Sequence, residues 1–413
     1  MAQAVKMYLL VNGKEVDLTE AGIINASFDR YMNPNNVRSG ILSQMDLVLF
    51  DTKGSNLLPQ LTGSAANSIT FKYGFIDEDS PTRDLYMSPW YKLDLIKVKS
   101  RWTNGGATLS LGAVGQQIQV STQARIYLKG TLIRDIIFDI AEAQGWDTTY
   151  VHEDSLKNLI LLNDIIKEAG EDDFVFLEQK IKPLCYTSGL VSGTVFESWV
   201  VRLFKIGTIT HLHFAPVSQK IRETVWVYDI GVTPNSQVLE FTSEVDLSYL
   251  IKGLNLVVYS SDVDLLVGPD RDQEQIVQDT VTKATECAQE ILKKYYIPIE
   301  LPDNIAFNVT LKYSEDADGL TLEQRILAAL DRAIQNVAKV ELTVVGNPHI
   351  MPNDLVLLNA KYSDGVSQFI TAAGGSSYWR IVQITENVSL GNYTTSLVLV
   401  REIIPREIID TRR

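Results

Sequence analysis

The sequence predicts an α+β fold that is mainly β: two small β-barrel domains, with α-helical segments connecting them and inserted into the second. β-branched and aromatic residues gather in short runs broken by turn dipeptides, over positions 1–122 and again from 198. Near Thr131 the apolar period lengthens from two to between three and four. Two apolar stripes at helical spacing follow between positions 272 and 337.

A chain of 413 residues exceeds one ordinary core and predicts two or three domains. A hydrophobic fraction of 45%, a charged fraction of 21% and a mean hydropathy of +0.01 are those of a folded globular chain. The apolar run Leu159–Leu162 falls far short of the roughly 20 residues a membrane helix needs, so no stable membrane association is expected. Met1–Val11 lacks the basic segment and long apolar core of a secretory signal, and synthesis in a cytoplasm is the expectation. A formal charge of -14 argues against affinity built on neutralising phosphates. Two cysteines, Cys185 and Cys287, make no disulfide framework; Cys287 falls on an apolar helical stripe and reads as a reduced core thiol.

The first hairpin is drawn by Asn12-Gly13, which supplies the two positive-φ positions of a type I′ turn between Tyr8–Val11 and Lys14–Leu18. Met45–Phe50 and Ile69–Phe75 add strands, and Trp90–Lys99 turns through Asn104-Gly105-Gly106 into Ala107–Leu111. Closure into a barrel would hide the edges. Leu132, Ile133, Ile136, Ile137 and Ile140 then mark a helix that ends at Gly145. A second helix starts at Asp172 or Asp173 and runs through Phe174, Leu177 and Ile181 as far as Pro183. Strands return at Ser198–Phe204, Thr208–Phe214, Thr224–Tyr228 and Gln237–Phe241.

From Asp272 to Tyr295 the series Val277, Val281, Ala284, Ala288, Ile291, Tyr295 keeps to one helix face. A further helix begins with Thr321 and Gln324 in capping-box spacing and carries Leu322, Ile326, Leu330, Ile334 and Val337; Pro298 and Pro302 keep the segment between the two extended. Strands resume at Val340–Val345 and finish in a hairpin, Tyr378–Val388 and Tyr393–Val400, turned by Gly391-Asn392. The resulting division is 1–122 first barrel, 123–197 helix-rich connector, 198–262 with 339–401 second barrel, 263–338 helical insertion, and 402–413 a C-terminal docking tail.

Catalytic and binding motifs are sparse. No phosphate-cradling loop occurs, and Gly105, Gly106, Gly112 and Gly115 sit among strands. Ser314–Arg325 has Asp316, Asp318 and Gly319 in calcium-loop positions, but Ser314 and Arg325 occupy the first and last, where the loop needs carboxylates. His211 and His213 alternate on a strand, so both rings share a face that could hold a metal or form a rim. Glu168, Glu171, Asp172 and Asp173 could supply the acid and base of a glycosidase, or cap a helix start. Catalytic, cofactor and metal residues are accordingly expected to be none.

The C-terminal stretch VELTVVGNPHIMPNDLVLL followed by YWRIVQITENVSLGNYTTSLVLVRE resembles the closing barrel of the tail hub family, which includes late control proteins of contractile phages and the hub portion of valine-glycine repeat spike proteins. The resemblance rests on the turn Gly346-Asn347-Pro348, the turn Met351-Pro352-Asn353-Asp354, and the strand Tyr393–Leu397 of Tyr-Thr-Thr-x-Leu type. TLIRDIIFDIAEAQGW and EAGEDDFVFLEQKIKPLCYTSGL are similar to the family's connecting helices, and FKYGFIDEDSPTRDLYMSPWYKLDLIKVKS to its first-barrel strands. The stretch 263–338 departs from the simplest members, and spike or lysozyme-like activity is not expected from the resemblance.

The resemblance implies a structural baseplate hub of a phage tail or related contractile injection machine, in a virion assembled in the host cytoplasm. It implies a homotrimeric ring that joins the tail tube protein to the central spike protein, meets other baseplate components, and lets DNA pass without specific binding. An envelope-degrading or carbohydrate-binding tail protein is the alternative. With 51 Asp plus Glu against 37 Lys plus Arg, carboxylates could line the channel or merely solvate the outside. Finally, Ile403, Ile404, Ile408 and Ile409 flank Pro405 in a terminal segment, where four isoleucines imply a covering surface in cis or in trans.

Overall fold

Asn12 and Gly13, at φ of 51° and 80°, turn the first hairpin as their dipeptide demands. The computed structural model describes residues 3–16, 21–31, 43–51, 61, 68–77, 86–103, 106–115, 124–186, 199–216, 224–231, 237–245, 253–258, 308–313, 320, 324, 328, 338–352, 354–359, 378–389 and 391–401. Both apolar stripes of 272–337 lie outside these residues, as do the 402–413 tail and Cys287, apart from isolated positions near Gln324.

The N-terminal half comprises β1 (Gln3–Val11), β2 (Lys14–Glu15), β3 (Ala21–Tyr31), β4 (Gln44–Asp51), β5 (Ser68–Asp77), β6 (Tyr86–Met87), β7 (Tyr91–Thr103) and β8 (Gly106–Val114). The connector holds β9 (Arg125–Tyr127), the helix Ile133–Gln144, β10 (Asp147–Val151), β11 (Ile165–Lys167), β12 (Trp199–Ile206) and β13 (Ile209–Pro216). β14 (Val225–Asp229) and β15 (Val238–Val245) open the C-terminal half. β16 (Gly253–Val258) and β17 (Asn308–Tyr313) form a separate parallel pair. β18 (Ala338–Val345), β19 (Leu355–Asn359), β20 (Tyr378–Ser389) and β21 (Asn392–Arg401) complete the half.

The mainly β expectation holds, with the helical connector between two strand-rich halves. No closed barrel forms among the described residues: strands of both halves run in one 14-stranded sheet, in the order β15-β18-β21-β20-β3-β4-β8-β7-β5-β1-β2 with β14, β19 and β6 branching off. The join is antiparallel pairing of β20 with β3, from Ile384↔Tyr31 to Ser389↔Asn25.

The two halves repeat one plan. Reading outward, β3-β4-β8-β7-β5-β1 answers β15-β18-β21-β20-β19-β14, and the strands also follow in the same chain order. Bulges recur at matching places: between Leu95 and Lys97 in β7 and between Ile381 and Gln383 in β20, between Ile23 and Asn25 in β3 and between Val238 and Glu240 in β15. Registers agree as well. Thr103↔Gly106 closes the β7–β8 hairpin as Ser389↔Asn392 closes β20–β21, and Met45↔Ala113 answers Val340↔Leu399. One departure stands out: β1 runs antiparallel to β5, while β14 runs parallel to β19.

The connector helix buries Ile133, Ile136, Ile137, Ile140 and Ala141, the stripe its sequence spacing predicts. Gly145 ends it at φ 69°, with Trp146 N–H donating to Ala141 O at 2.8 Å. Asp172 caps the next helix, accepting from Phe174 N at 2.8 Å and Val175 N at 3.1 Å. That helix does not stop at Pro183: a wide turn, Leu177–Ile181, leads into a tight turn, Lys182–Cys185. Pro183 falls in the first turn of that new segment, where a missing N–H is tolerated.

β12 and β13, assigned by sequence to the second barrel, form a three-stranded sheet in the order β10-β13-β12, in which β13 pairs with both neighbours. Nearly every residue of β12 is buried, the mark of a strand covered on both faces rather than one. Leu320 and Ala328 of the insertion pack against the connector core, and Gln324 Nε2 donates to Leu184 O at 3.1 Å.

Candidate functional site

The seam between the halves holds a fully buried ion pair. On β3, Ala26, Phe28 and Arg30 point inward by alternation; on β20, Ile384, Glu386 and Val388 do the same. Arg30 Nη2 comes 3.0 Å from Glu386 Oε1, with both side chains at most 1% exposed. Arg30 also donates through Nη1 to Pro348 O at 2.8 Å and through Nη2 to Ile350 O. Glu386 Oε2 accepts from Thr395 Oγ1 at 2.6 Å and from Tyr393 OH at 3.1 Å. Tyr73 and Tyr91 stack beside the pair with ring centroids 6.2 Å apart, and Tyr393 meets Tyr73 edge-on at 5.6 Å.

Burial pushes the Glu386 carboxyl up, opposed by Arg30 and by hydrogen bonds from Thr395 and Tyr393. Burial likewise lifts Tyr73 and Tyr393 well above an ordinary phenol. A charge pair so enclosed is a joint: each partner neutralises the other and meets no solute.

The two turns that carry the family resemblance build this joint. Gly346 N–H donates to Tyr393 O and Asn347 N–H to Thr395 Oγ1, each at 2.9 Å. Gly346 lies so close under Tyr393 that an added Cβ would stand 2.3 Å from the ring. In the second turn Asp354 accepts from Met351 N at 2.9 Å, Thr224 N at 2.9 Å and Trp226 Nε1 at 2.6 Å, tying β14 beside β19. The connector strand β12 spans both halves: Arg202 Nη1 donates to Ile381 O at 3.0 Å and Lys205 Nζ to Lys92 O at 3.3 Å.

The acidic cluster is engaged structurally. Asp173 binds Lys167 Nζ at 2.6 Å in the interior and accepts from the half-buried Gln144 Nε2 at 2.5 Å. Glu171 pairs with Lys180 at 2.9 Å and accepts from Glu168 N at 3.0 Å, while Asp172 is the cap described above. His211 and His213 do share a face, both against Tyr150. They have separate roles: His211 Nδ1 lies 2.9 Å from Asp147 Oδ1, whereas His213 is buried near Arg202 and Arg380. Burial first, then those two cations, hold His213 well below the usual imidazole range. Among the described residues no group of three or more His, Cys, Asp or Glu gathers as a metal would require. Cys185 is buried and its thiol is pushed up by that burial. Ile403, Ile404, Ile408 and Ile409 lie outside the described residues, as does nearly all of Ser314–Arg325.

Sequence reasoning passed over Arg30 and Glu386. Their signal was present: each is a charged residue at an inward position of an otherwise apolar alternation. Open edges matter too. Among the described strands, β7 beyond its bulge pairs with β8 alone, and β15 with β18 alone. Ile96 at 65% and Trp102 at 57% exposed mark the first edge, and Leu239 at 55% the second.

Comparison with solved structures finds the same fold along nearly the whole chain in two tail proteins. The 43 kDa tail protein of prophage MuSo2 from Shewanella oneidensis aligns at TM-score 0.57 and 12% identity, over 97% of this chain and 98% of that one. The tail protein from Neisseria meningitidis MC58 aligns at TM-score 0.54 and 11% identity, again over 97% and 98%. No family model and no curated protein matches the sequence.

Proposed function

We propose, from a fold shared end to end with two tail proteins, one of them of a prophage, that this chain is a structural subunit of a phage tail baseplate: a hub that forms a homotrimeric ring between the tail tube and the central spike. The observation that supports it best is the repeat of one six-stranded plan in both halves, fastened by a fully buried ion pair. A rigid chain offering two equivalent units suits a ring in which three subunits must match a sixfold tube. The two halves serve as barrel-like units of that ring, and the net charge of -14 provides carboxylates for a channel wall that DNA phosphates do not adhere to. Residues 402–413, with Ile403, Ile404, Ile408 and Ile409, act as an arm laid on a neighbour's sheet edge.

Light scattering on the purified chain tests the reading. A trimer that captures tail tube and spike proteins on co-expression and leaves purified cell wall intact is the expected result. A monomer that degrades cell wall would overturn it.

A further inference from the structure

We infer that copies of this chain join edge to edge, the segment Lys97–Thr103 of β7 in one copy pairing antiparallel with β15 of the next, in the register that β20 and β3 use within the chain. The ring reading above supplies the number of copies; the pairing itself stands on the sheet.

The two halves match strand for strand, so each element of the internal seam has a counterpart. The part of β20 beyond its bulge corresponds to the part of β7 beyond its own, and β3 corresponds to β15. Within the chain the first pair is joined: Thr385↔Asp29, Glu386↔Phe28, Asn387↔Ser27, Val388↔Ala26. Among the described residues the second pair is left as two open edges, which a sheet does not carry without use or protection.

Burial separates the joined positions from the open ones. Glu386, Val388, Phe28 and Ala26 are buried at the seam. At the corresponding positions Ser100, Ser243 and Phe241 are at least partly exposed, and Trp102 is among the more exposed aromatic residues described.

Carrying the register across sets Lys99 opposite Glu244, Ser100 opposite Ser243, Arg101 opposite Thr242 and Trp102 opposite Phe241. One face then interleaves Lys99 and Arg101 with Glu240 and Glu244, and the other places Trp102 on Phe241. Within the chain the position matching Lys99–Glu244 is already a side-chain bond, Thr385 Oγ1 to Asp29 Oδ1 at 2.6 Å. The two edges are different surfaces, so the contact is head to tail and closes into a ring when the rotation between copies returns to its start.

Charge exchange tests the pairing. Lys99→Glu and Glu244→Lys should each weaken self-association about tenfold or more with melting unchanged, and the double exchange should restore it. Ser100→Cys with Ser243→Cys should cross-link neighbouring chains on mild oxidation, while either cysteine alone should not. A trimer indifferent to both charge variants and without the cross-link overturns the pairing and leaves the ring reading standing. Charge rescue in an assembly of another size overturns the trimer and keeps the pairing. A wild-type chain that stays monomeric overturns both.

Discussion

Arg30 Nη2 and Glu386 Oε1 stand 3.0 Å apart across the seam, joining residues from opposite ends of the chain in an interior that excludes water. Removing either partner strands the other charge. Arg30→Ala or Glu386→Ala should cost about 3–5 kcal/mol, whereas Arg30→Met with Glu386→Leu should recover much of the loss. Urea unfolding followed by tryptophan fluorescence reads this directly. Equal costs for the double and the summed single variants would show that the two side chains act independently.

Gly346 is held by space rather than by backbone torsion, since its missing Cβ would fall against the Tyr393 ring at 2.3 Å. Gly346→Ala should therefore destabilise by about 1–3 kcal/mol, and Tyr393→Leu in the same chain should offset part of that cost. Thermal melting of the two variants decides it. A Gly346→Ala chain that melts like wild type would mean that the turn shifts freely away from β21.

His213 gives the fold a pH dependence with a definite sign. Burial, with Arg380 on β20 and Arg202 on β12 facing the ring, holds its folded pKa well below the ordinary 6.5. The unfolded chain binds the proton first, so this contribution is fully present above pH 6.5 and is lost as pH falls toward the folded value. Glu386, Asp354 and Asp29 act oppositely, because burial raises their pKa values and their contribution declines as pH rises through them. Comparing wild type with His213→Gln between pH 8 and about 5.5 isolates the histidine. The wild type should lose melting temperature faster on acidification; parallel curves would remove the histidine from the account.

Local chemistry was legible in the sequence where a residue does its work within a few positions. Asn12-Gly13, Gly145 and Asp172 each act on neighbours in the chain, and each sits where its chemistry predicts. Partners set by distant segments were not. β12 and β13 read as strands, yet nothing within them says that β10 pairs with β13. The repeat of the two halves was hidden for another reason. β7 reads YKLDLIKVKSRWT and β20 reads YWRIVQITENVS, sharing a bulge and a hairpin register but few side chains. Many side chains satisfy the same backbone plan, so the plan survives where the letters do not. Arg30 and Glu386 were half legible: the alternation placed them inward, but only the seam shows what neutralises them.

Asp173 tests whether the acidic cluster is scaffold or catalyst. Its carboxylate lies 2.6 Å from Lys167 Nζ and accepts from Gln144 Nε2 at 2.5 Å, and Lys167 also donates to Glu171 O at 2.8 Å. The arrangement fastens β11 to the start of the next helix and the end of the long one, with Lys167 fully enclosed. A general acid needs reach to a substrate oxygen, and a carboxylate committed to an interior lysine and an amide has none. Asp173→Ala should thus leave an unpaired interior ammonium and destabilise the connector by about 3–5 kcal/mol, while Lys167→Met with Asp173→Leu should be milder. Calorimetric melting of the three chains, run beside a turbidity assay on purified cell wall, separates the possibilities. The expected outcome is a stability ladder with no wall clearance by any of them, wild type included. Clearance by wild type that Asp173→Ala abolishes at unchanged melting temperature would make the carboxylate catalytic and sink the scaffold assignment.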